Sequence, residues 1–506
     1  MVKTQIGQTL KQTTIKNPRY SKLLDVHRHS EHSDVSRLGK HIWSKCFGQP
    51  VDATPKSGGV KPKANSLSQF RVVILDLYMA WKEDPDLCVA VAMSNSAWRT
   101  GSRYNKIGLS RKVPQIIHRL HECGYIDYSA GSYSVPGAVT NRTSRIRAAE
   151  PLKQLFRDAR FGPQHVLTFA GKECIIMRGS EKSERNLEYE DTPETVRMRA
   201  DLTKYNRLLQ RTFIDVPDQV QTYIERPVKK GPRAGEMTRV PVCGLDNFVH
   251  RVFNRNDWSC GGRFYGGWWQ SVGSEFRKRI HINDVPTVEV DFDAVHVAIF
   301  AAKHGMSLDD DPYVLEEGLI EGLDAEQQRK VVKLLILMSL NAKDQRSACN
   351  AFRDASPTGS RAKSMKNNEL VRVLDAFIER YPKLRDDLCA DRGIYLMKKD
   401  SQIASLVIRH FTNRNIPVLC VHDSFLIGYA QAGYLKRAMK LACRVVIGQD
   451  IPMKNNYMGL DEVEKSSPDL ADDYKALRYR HHCPAYVIRQ RIFNERLAYL
   501  DSGGLG

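Results

Sequence analysis

The chain has 506 residues, 42% of them apolar, and a formal net charge of +19. That length fits about two to four domains. No apolar run approaches the ~20 residues of a membrane span, Met1-Val2-Lys3-Thr4-Gln5 lacks the apolar core of a secretory leader, and eleven scattered cysteines without a Cys-x-x-Cys pair read as reduced thiols rather than a disulfide framework. The reading is a cytoplasmic protein with no membrane partner, and its surplus of positive charge suits a phosphate backbone. Nothing in the sequence names a protein partner.

Residues 1–65 read as a basic, solvated N-terminal arm. His27, His29 and His32 cluster there without the cysteines or spacing of a zinc site, and Asp52 to Gly59 reads as a linker. Residues 66–150 read as a winged helix-turn-helix. Val72, Leu75, Leu77, Tyr78 and Trp81 mark an amphipathic helix over 71–81. Ser110 caps a second helix over 111–123, closed by Gly124. Tyr125 to Tyr128 and Gly131 to Val135 then suggest a hairpin. Arg111, Lys112 and Arg119 decorate the second helix, with Gln115 and His118 between them, and Arg142, Arg145 and Arg147 follow the wing. Such a helix enters a major groove while arginines hold phosphates; a winged helix used only for protein contacts is the plain alternative.

Residues 151–245 form a basic helical connector. Thr192 caps a helix over 193–210 with Pro193 in its first turn. Val196, Met198, Leu202, Tyr205, Leu208 and Leu209 make its apolar side, and Arg197, Arg199, Lys204, Arg207 and Arg211 its basic side. That basic side is either a solvated face or a surface for phosphates. Residues 461–506 read as a charged, partly mobile tail. No phosphate-binding glycine loop is present.

The chemistry-bearing residues lie between 260 and 430. Thr287 to Phe292 alternates as a strand and presents Asp291, with Asp293 two residues on; an apolar helix, 294–302, follows. A carboxylate in such a setting is costly unless paired or metal-bound. A helix over 324–340 repeats Arg329, Lys333, Leu337 and Asn341 every fourth residue, on one face, while Val331, Val332, Leu335, Ile336 and Met338 form the core side. The cationic end of that stripe suits a triphosphate; a helix with a charged outer face is the plain alternative. Val421-His422-Asp423-Ser424 sits between the apolar runs 416–420 and 425–427, where a hairpin turn would present Asp423. Two carboxylates brought together from different strands suit a pair of Mg²⁺ ions about 4 Å apart.

These segments resemble, in order, the motifs of family A DNA polymerases and of phage-type single-subunit RNA polymerases. Asp291-Phe292-Asp293-Ala294-Val295-His296 is similar to the family's Asp-Tyr-Ser-Gln-Ile-Glu. The stripe from Arg329 to Asn341 is similar to the fingers helix, Arg-x3-Lys-x3-Phe-x3-Tyr. Val421 to Ser424 resembles the His-Asp-Glu motif of the DNA polymerases and the His-Asp-Ser of the RNA polymerases. Gly262-Arg263, Gln270, Arg277 and Arg279 resemble the upstream segment that contacts template and primer.

The resemblance covers roughly 245–455 and implies a multidomain α+β chain: a winged helix-turn-helix, then a right-hand polymerase fold over 246–460 with a palm sheet and reduced helical fingers, the connector standing in for a thumb. It implies Asp291 and Asp423 as ligands of two Mg²⁺ (or Mn²⁺) ions, with Asp293 as a further ligand. Arg329 and Lys333 would hold the nucleoside triphosphate, with Leu337, Asn341 and His296 beside it. His422 would meet the primer end, and Arg263, Gln270, Arg277 and Arg279 the nucleic acid. The implied function is a DNA polymerase acting on a DNA template and primer, serving a phage or mobile element. His296 stands where the family has its sugar-gate glutamate and Asn341 where it has a tyrosine. Choice of sugar therefore stays open, and a primase or RNA polymerase is an alternative. So is a non-catalytic, DNA-binding replication initiator or regulator.

Overall fold

The computed structural model describes residues 15–48, 66–133, 141–168, 171–181, 184–228, 233–308 and 310–503. Helices and sheets mix in two compact units that interleave along the chain. The first takes the residues up to 173, 213–247 and those from 480 onward; the second takes 174–212 and 248–479. The units therefore do not follow the linear division into arm, winged helix, connector, polymerase and tail.

In the first unit the helix Ser66–Glu83 is apolar on almost every side, with Phe70, Val73, Ile74, Leu77, Tyr78 and Met79 all buried. A helix of that kind belongs at the middle of a core. Ser33–Phe47, Lys112–Glu122 and Glu150–Asp158 are the other helices of this part of the chain, and a four-stranded sheet runs in the order Ser21–Leu23, Cys88–Val91, Ser144–Ala148, Ile126–Ser129. Two expectations need correction here. The segment read as a solvated arm supplies a strand and a helix, because Val35, Ile42 and Cys46 recur on one face of Ser33–Phe47 and are buried. The linker read at 52–59 lies outside the described residues. Ile126–Ser129 pairs with Ser144–Ala148, with Tyr128 opposite Ile146, whereas the partner expected from the sequence is 131–135, of which only 131–133 lie within the described residues. The strand Ser144–Ala148 alternates buried and half-buried residues, a period-two pattern. Gly124, at φ +74°, closes Lys112–Glu122 as expected.

The tail is likewise folded. Pro484–Asp501 is a helix that buries Tyr486 and Phe493. Its Arg489 makes two 2.8 Å bonds to the buried Asp215, and its Arg496 donates to Asp246 at 2.9 Å. Asp246 is shared with the buried Arg28, which also reaches Asp76 at 3.1 Å. Each of these charges is paired inside the protein, the condition for burying it.

The second unit holds the acidic strand. Val285–Phe292 lies mid-sheet, with Ser424–Gly428 and then Leu419–Val421 on one side, and His281–Ile282 and Met453–Asn455 on the other. Its middle residues Val288 and Val290 are fully buried, as befits a central strand. The helices Val295–Lys303, Gly393–Thr412 and Ala432–Ile447 pack together beside it. A second sheet pairs Asp257–Tyr265 with His250–Asn254, and that strand with Ile175–Met177. The helix Pro193–Gln210 starts where expected, with Thr192 accepting from the Thr195 amide. It buries Leu202, Tyr205 and Leu209 but leaves Val196 half exposed. Beyond the acidic strand, Ala325–Asn341, Gln345–Ala355 and Asn367–Arg380 form a helical group.

Candidate active site

Asp291 and Asp423 converge through sheet register. Asp291 is directly opposite Ser424 in the antiparallel pair, and Val421 pairs with Ser424 across the hairpin. His422 and Asp423 are therefore the whole turn. Such a turn favours positive φ in its first residue, and His422 has φ +61°. Ala294, just past the acidic strand, is also left-handed, at φ +48°. Strained backbone of this kind collects at functional sites.

Electrostatics report the same convergence. Asp291 is pushed up to about 6, first by burial and next by the charge of Asp423, against the opposing pull of Lys454. Burial and a neighbouring negative charge both disfavour the ionised form of a carboxyl group. Lys454 lies 3.8 Å from Asp291 and 2.5 Å from Asp293. Its ammonium stands where a cation is favoured and marks the pair as short of positive charge. Asp293 is thus turned to Lys454. Among the described residues no group of three or more His, Cys, Asp or Glu gathers as a metal site. Two carboxylates alone fit Mg²⁺, which is commonly bound by one or two carboxylates together with substrate phosphates.

The cationic helix starts at Asp324, whose carboxylate accepts from the Gln327 amide at 2.8 Å. Arg329 points to Asp311, its Nε donating at 2.6 Å. Lys333 lies 5.7 Å from the ring of Tyr313. Tyr313 is buried, and the charges of Asp311, Asp423 and Asp293 help burial to raise its hydroxyl well above the usual range. Carboxylates, Tyr313, Arg329 and Lys333 therefore share one neighbourhood. Leu337 is half-buried, and Asn341 folds back to donate to the Leu337 carbonyl at 2.8 Å.

The upstream residues are engaged within the fold. Arg263 donates through Nε to Asp400 at 3.0 Å, and His296 Nε2 lies 3.0 Å from both Asp400 and Arg263. Asp400 is 2% exposed, so this trio is an internal charge cluster rather than an open nucleic-acid contact. The two preceding glycines make it possible. Gly262 has φ +87°, and a Cβ there would meet the Phe253 ring at 2.8 Å and the Ser401 hydroxyl at 2.9 Å. Gln270 donates to the Phe264 and Cys420 carbonyls, which ties it to the hairpin. Arg277 makes bonds of 2.9 and 2.8 Å to Glu289, which also accepts from Ser424 at 2.7 Å. That pair supports the acidic strand from two residues before Asp291, on the same face. Arg279 lies 5.1 Å from the ring of Phe276. His422 packs edge-on to Tyr265 at 5.3 Å, and its buried Nδ1 has no hydrogen-bond partner among the described residues. Burial, then Arg263, pushes its ring below the usual histidine range.

In the first unit, Arg111, Lys112, Gln115, His118 and Arg119 all face outward from their helix. Arg119 is tied to the Cys46 carbonyl and Glu122, Lys112 to Ser66, and Arg145 to Ser21 and Thr143. Sequence reasoning missed Tyr313, Lys454, Asp311 and Asp400. Each reaches the site through contacts distant in sequence, and none belongs to a local pattern.

No protein-family model matches this chain, and neither does any curated protein. Among solved structures it is similar to the POL domain of Pol1 from M. smegmatis in complex with DNA primer-template and dNTP, at 11% identity and a TM-score of 0.29. The match spans 42% of this chain and 47% of that one, under half of either. A likeness of this size carries no weight, and the residues themselves must support any assignment.

Proposed function

We propose that this protein is a template-directed nucleotidyltransferase, a DNA polymerase that extends a primer with nucleoside triphosphates. The observation that carries the reading is the convergence of Asp291, near the end of its strand, and Asp423, in the hairpin turn beside it; burial first and the Asp423 charge next push Asp291 up to about 6, within one neighbourhood of Arg329 and Lys333. Asp291 and Asp423 would hold Mg²⁺ or Mn²⁺, with Lys454 moving aside to Asp293 alone. When bound, a pair of such ions activates the attacking hydroxyl and neutralises the leaving pyrophosphate. Arg329 would exchange Asp311 for a phosphate, a swap between two anions for one guanidinium. Lys333 would add a second cation along the triphosphate, and Tyr313 would wall the pocket. Fixed charge aimed at a transferring phosphoryl group is the main catalytic need.

The order of the motifs supports the same reading, as does the topology of residues 66–148: helix, strand, helix, then a hairpin with an outward basic helix face. We read that order as a winged helix, which would grip DNA and suit replication of a phage or mobile element.

His296 supports a second reading, a primase or RNA polymerase. Held by Asp400, it replaces the acidic sugar gate and would leave room for ribonucleotides. Primed and unprimed templates, each supplied with deoxynucleotides or ribonucleotides, separate the two. Product only from primed DNA with deoxynucleotides removes the priming reading. No incorporation under any combination, with DNA still bound, leaves a non-catalytic replication initiator.

A further inference from the structure

The helix Gly393–Thr412 has two working faces. Asp400 turns inward to Arg263 and His296. Lys398, Gln402, Ser405 and Arg409 fall about 140–200° around the helix from Asp400, on the opposite side. There they line a cavity of about 650 Å³ with Arg197 and Asp201 of Pro193–Gln210 and with Arg251 of the second sheet. Five cations, Arg197, Arg251, Lys398, Lys399 and Arg409, face two carboxylates, Glu194 and Asp201. None of the five forms an ion pair among the described residues. Arg251 is only 3% exposed. It donates to the Gly262 carbonyl at 2.8 Å, the Ser401 hydroxyl at 3.2 Å and the Met198 sulfur at 3.2 Å. Among the described residues no carboxylate touches this buried guanidinium, so its charge lacks a direct counter-charge there, a costly state that an anion would relieve. Burial pushes both Arg251 and Lys398 below their ordinary values.

A second cavity of about 460 Å³ adjoins the first and shares Lys399 and Val446 with it. Its lining is mostly apolar, with Ile299, Phe300, Leu396 and Ile447 and the half-exposed ring of Tyr395, and Lys303, Arg392 and Lys399 add cations to it. A cationic slot beside an apolar, aromatic one matches the alternation of phosphate and base in an unpaired strand. A duplex keeps its bases stacked inside and has no use for the second slot.

We infer that this groove, behind the helix that carries Asp400, binds the backbone of single-stranded nucleic acid, with phosphates in the cationic cavity and a base against Tyr395. The site is separate from the paired carboxylates, and its readout is binding rather than synthesis.

Fluorescence anisotropy of a labelled oligothymidylate, titrated with full-length protein at several salt concentrations, tests it. The Arg197→Ala/Lys398→Ala/Arg409→Ala variant removes three phosphate contacts and should make the plot of log affinity against log salt shallower by about 2. Tyr395→Ala should weaken binding at least about fivefold with the slope unchanged, the loss expected for one stacked base. A duplex of the same length should be affected by neither change. Excess inorganic phosphate should compete only at far higher concentration than unlabelled oligonucleotide. Circular dichroism and thermal melting establish that the variants are folded; if the triple variant is not, protection of Lys398 and Lys399 from acylation by bound oligonucleotide tests the same contacts in the unmodified protein. Unchanged slope and affinity, equal losses for duplex and single strand, equal competition by free phosphate, or unprotected lysines would each overturn the assignment.

Discussion

Replacing Asp291 by asparagine should stabilise the protein while destroying the proposed site. Asp291 titrates at about 6 in the fold, against an ordinary value of ~4, and each pH unit of difference corresponds to about 1.4 kcal/mol. A fully buried carboxylate would therefore cost the folded state about 3 kcal/mol. The Asp291 side chain keeps 36% of its exposure, so solvent screening reduces the penalty to about 1 kcal/mol. The folded state holds this proton more tightly than the unfolded chain. The penalty is thus absent below about pH 4, grows between about pH 4 and 6, and is complete above about pH 6. Urea unfolding should show Asp291→Asn about 1 kcal/mol more stable than the unmodified protein near pH 7.5, and the gain should shrink towards zero near pH 4.5. Added Mg²⁺ should stabilise the unmodified protein and not the variant. Equal stability near pH 7.5, or a gain independent of pH, would refute the electrostatic reasoning.

Other substitutions probe the rest of the structure. Arg329→Ala should raise the KM for nucleoside triphosphate about tenfold or more in steady-state incorporation, since a charge-assisted contact contributes about 1.5–3 kcal/mol; an unchanged KM would remove Arg329 from triphosphate binding. Arg489→Leu leaves Asp215 buried and unpaired and should cost about 3–5 kcal/mol in urea unfolding. Gly262→Ala places a Cβ into Phe253 and Ser401 at positive φ, and should lower stability by at least about 1 kcal/mol, read as a fall in melting temperature.

The strands, turn and helices of the candidate site were legible in the sequence because their signals are local. Alternation across Val288 to Phe292, the Asp324 and Thr192 caps, and the apolar runs on both sides of His422-Asp423 each fix an element within a few residues. Partnerships were not legible. Arg263 pairs with Asp400 and Asp293 with Lys454, contacts between segments more than a hundred residues apart that no periodicity encodes. Arg277 and Gln270 look like free donors in sequence and are consumed by Glu289 and by main-chain carbonyls. The arm was misread for a related reason. The face of Ser33–Phe47 made by Val35, Ile42 and Cys46 is narrow, and only the first unit's core reveals what it covers. In the same way, Tyr486 and Phe493 give the charged tail an anchor that its composition conceals.

The proposed site requires Asp291 and Asp423 to hold divalent cations together. Electron paramagnetic resonance of Mn²⁺, titrated into the full-length protein with a non-hydrolysable nucleoside triphosphate and primed DNA, tests it most directly. Tightly bound Mn²⁺ is expected in the unmodified protein, with loss of that signal in both Asp291→Asn and Asp423→Asn. Mn²⁺ binding that survives both substitutions would contradict it.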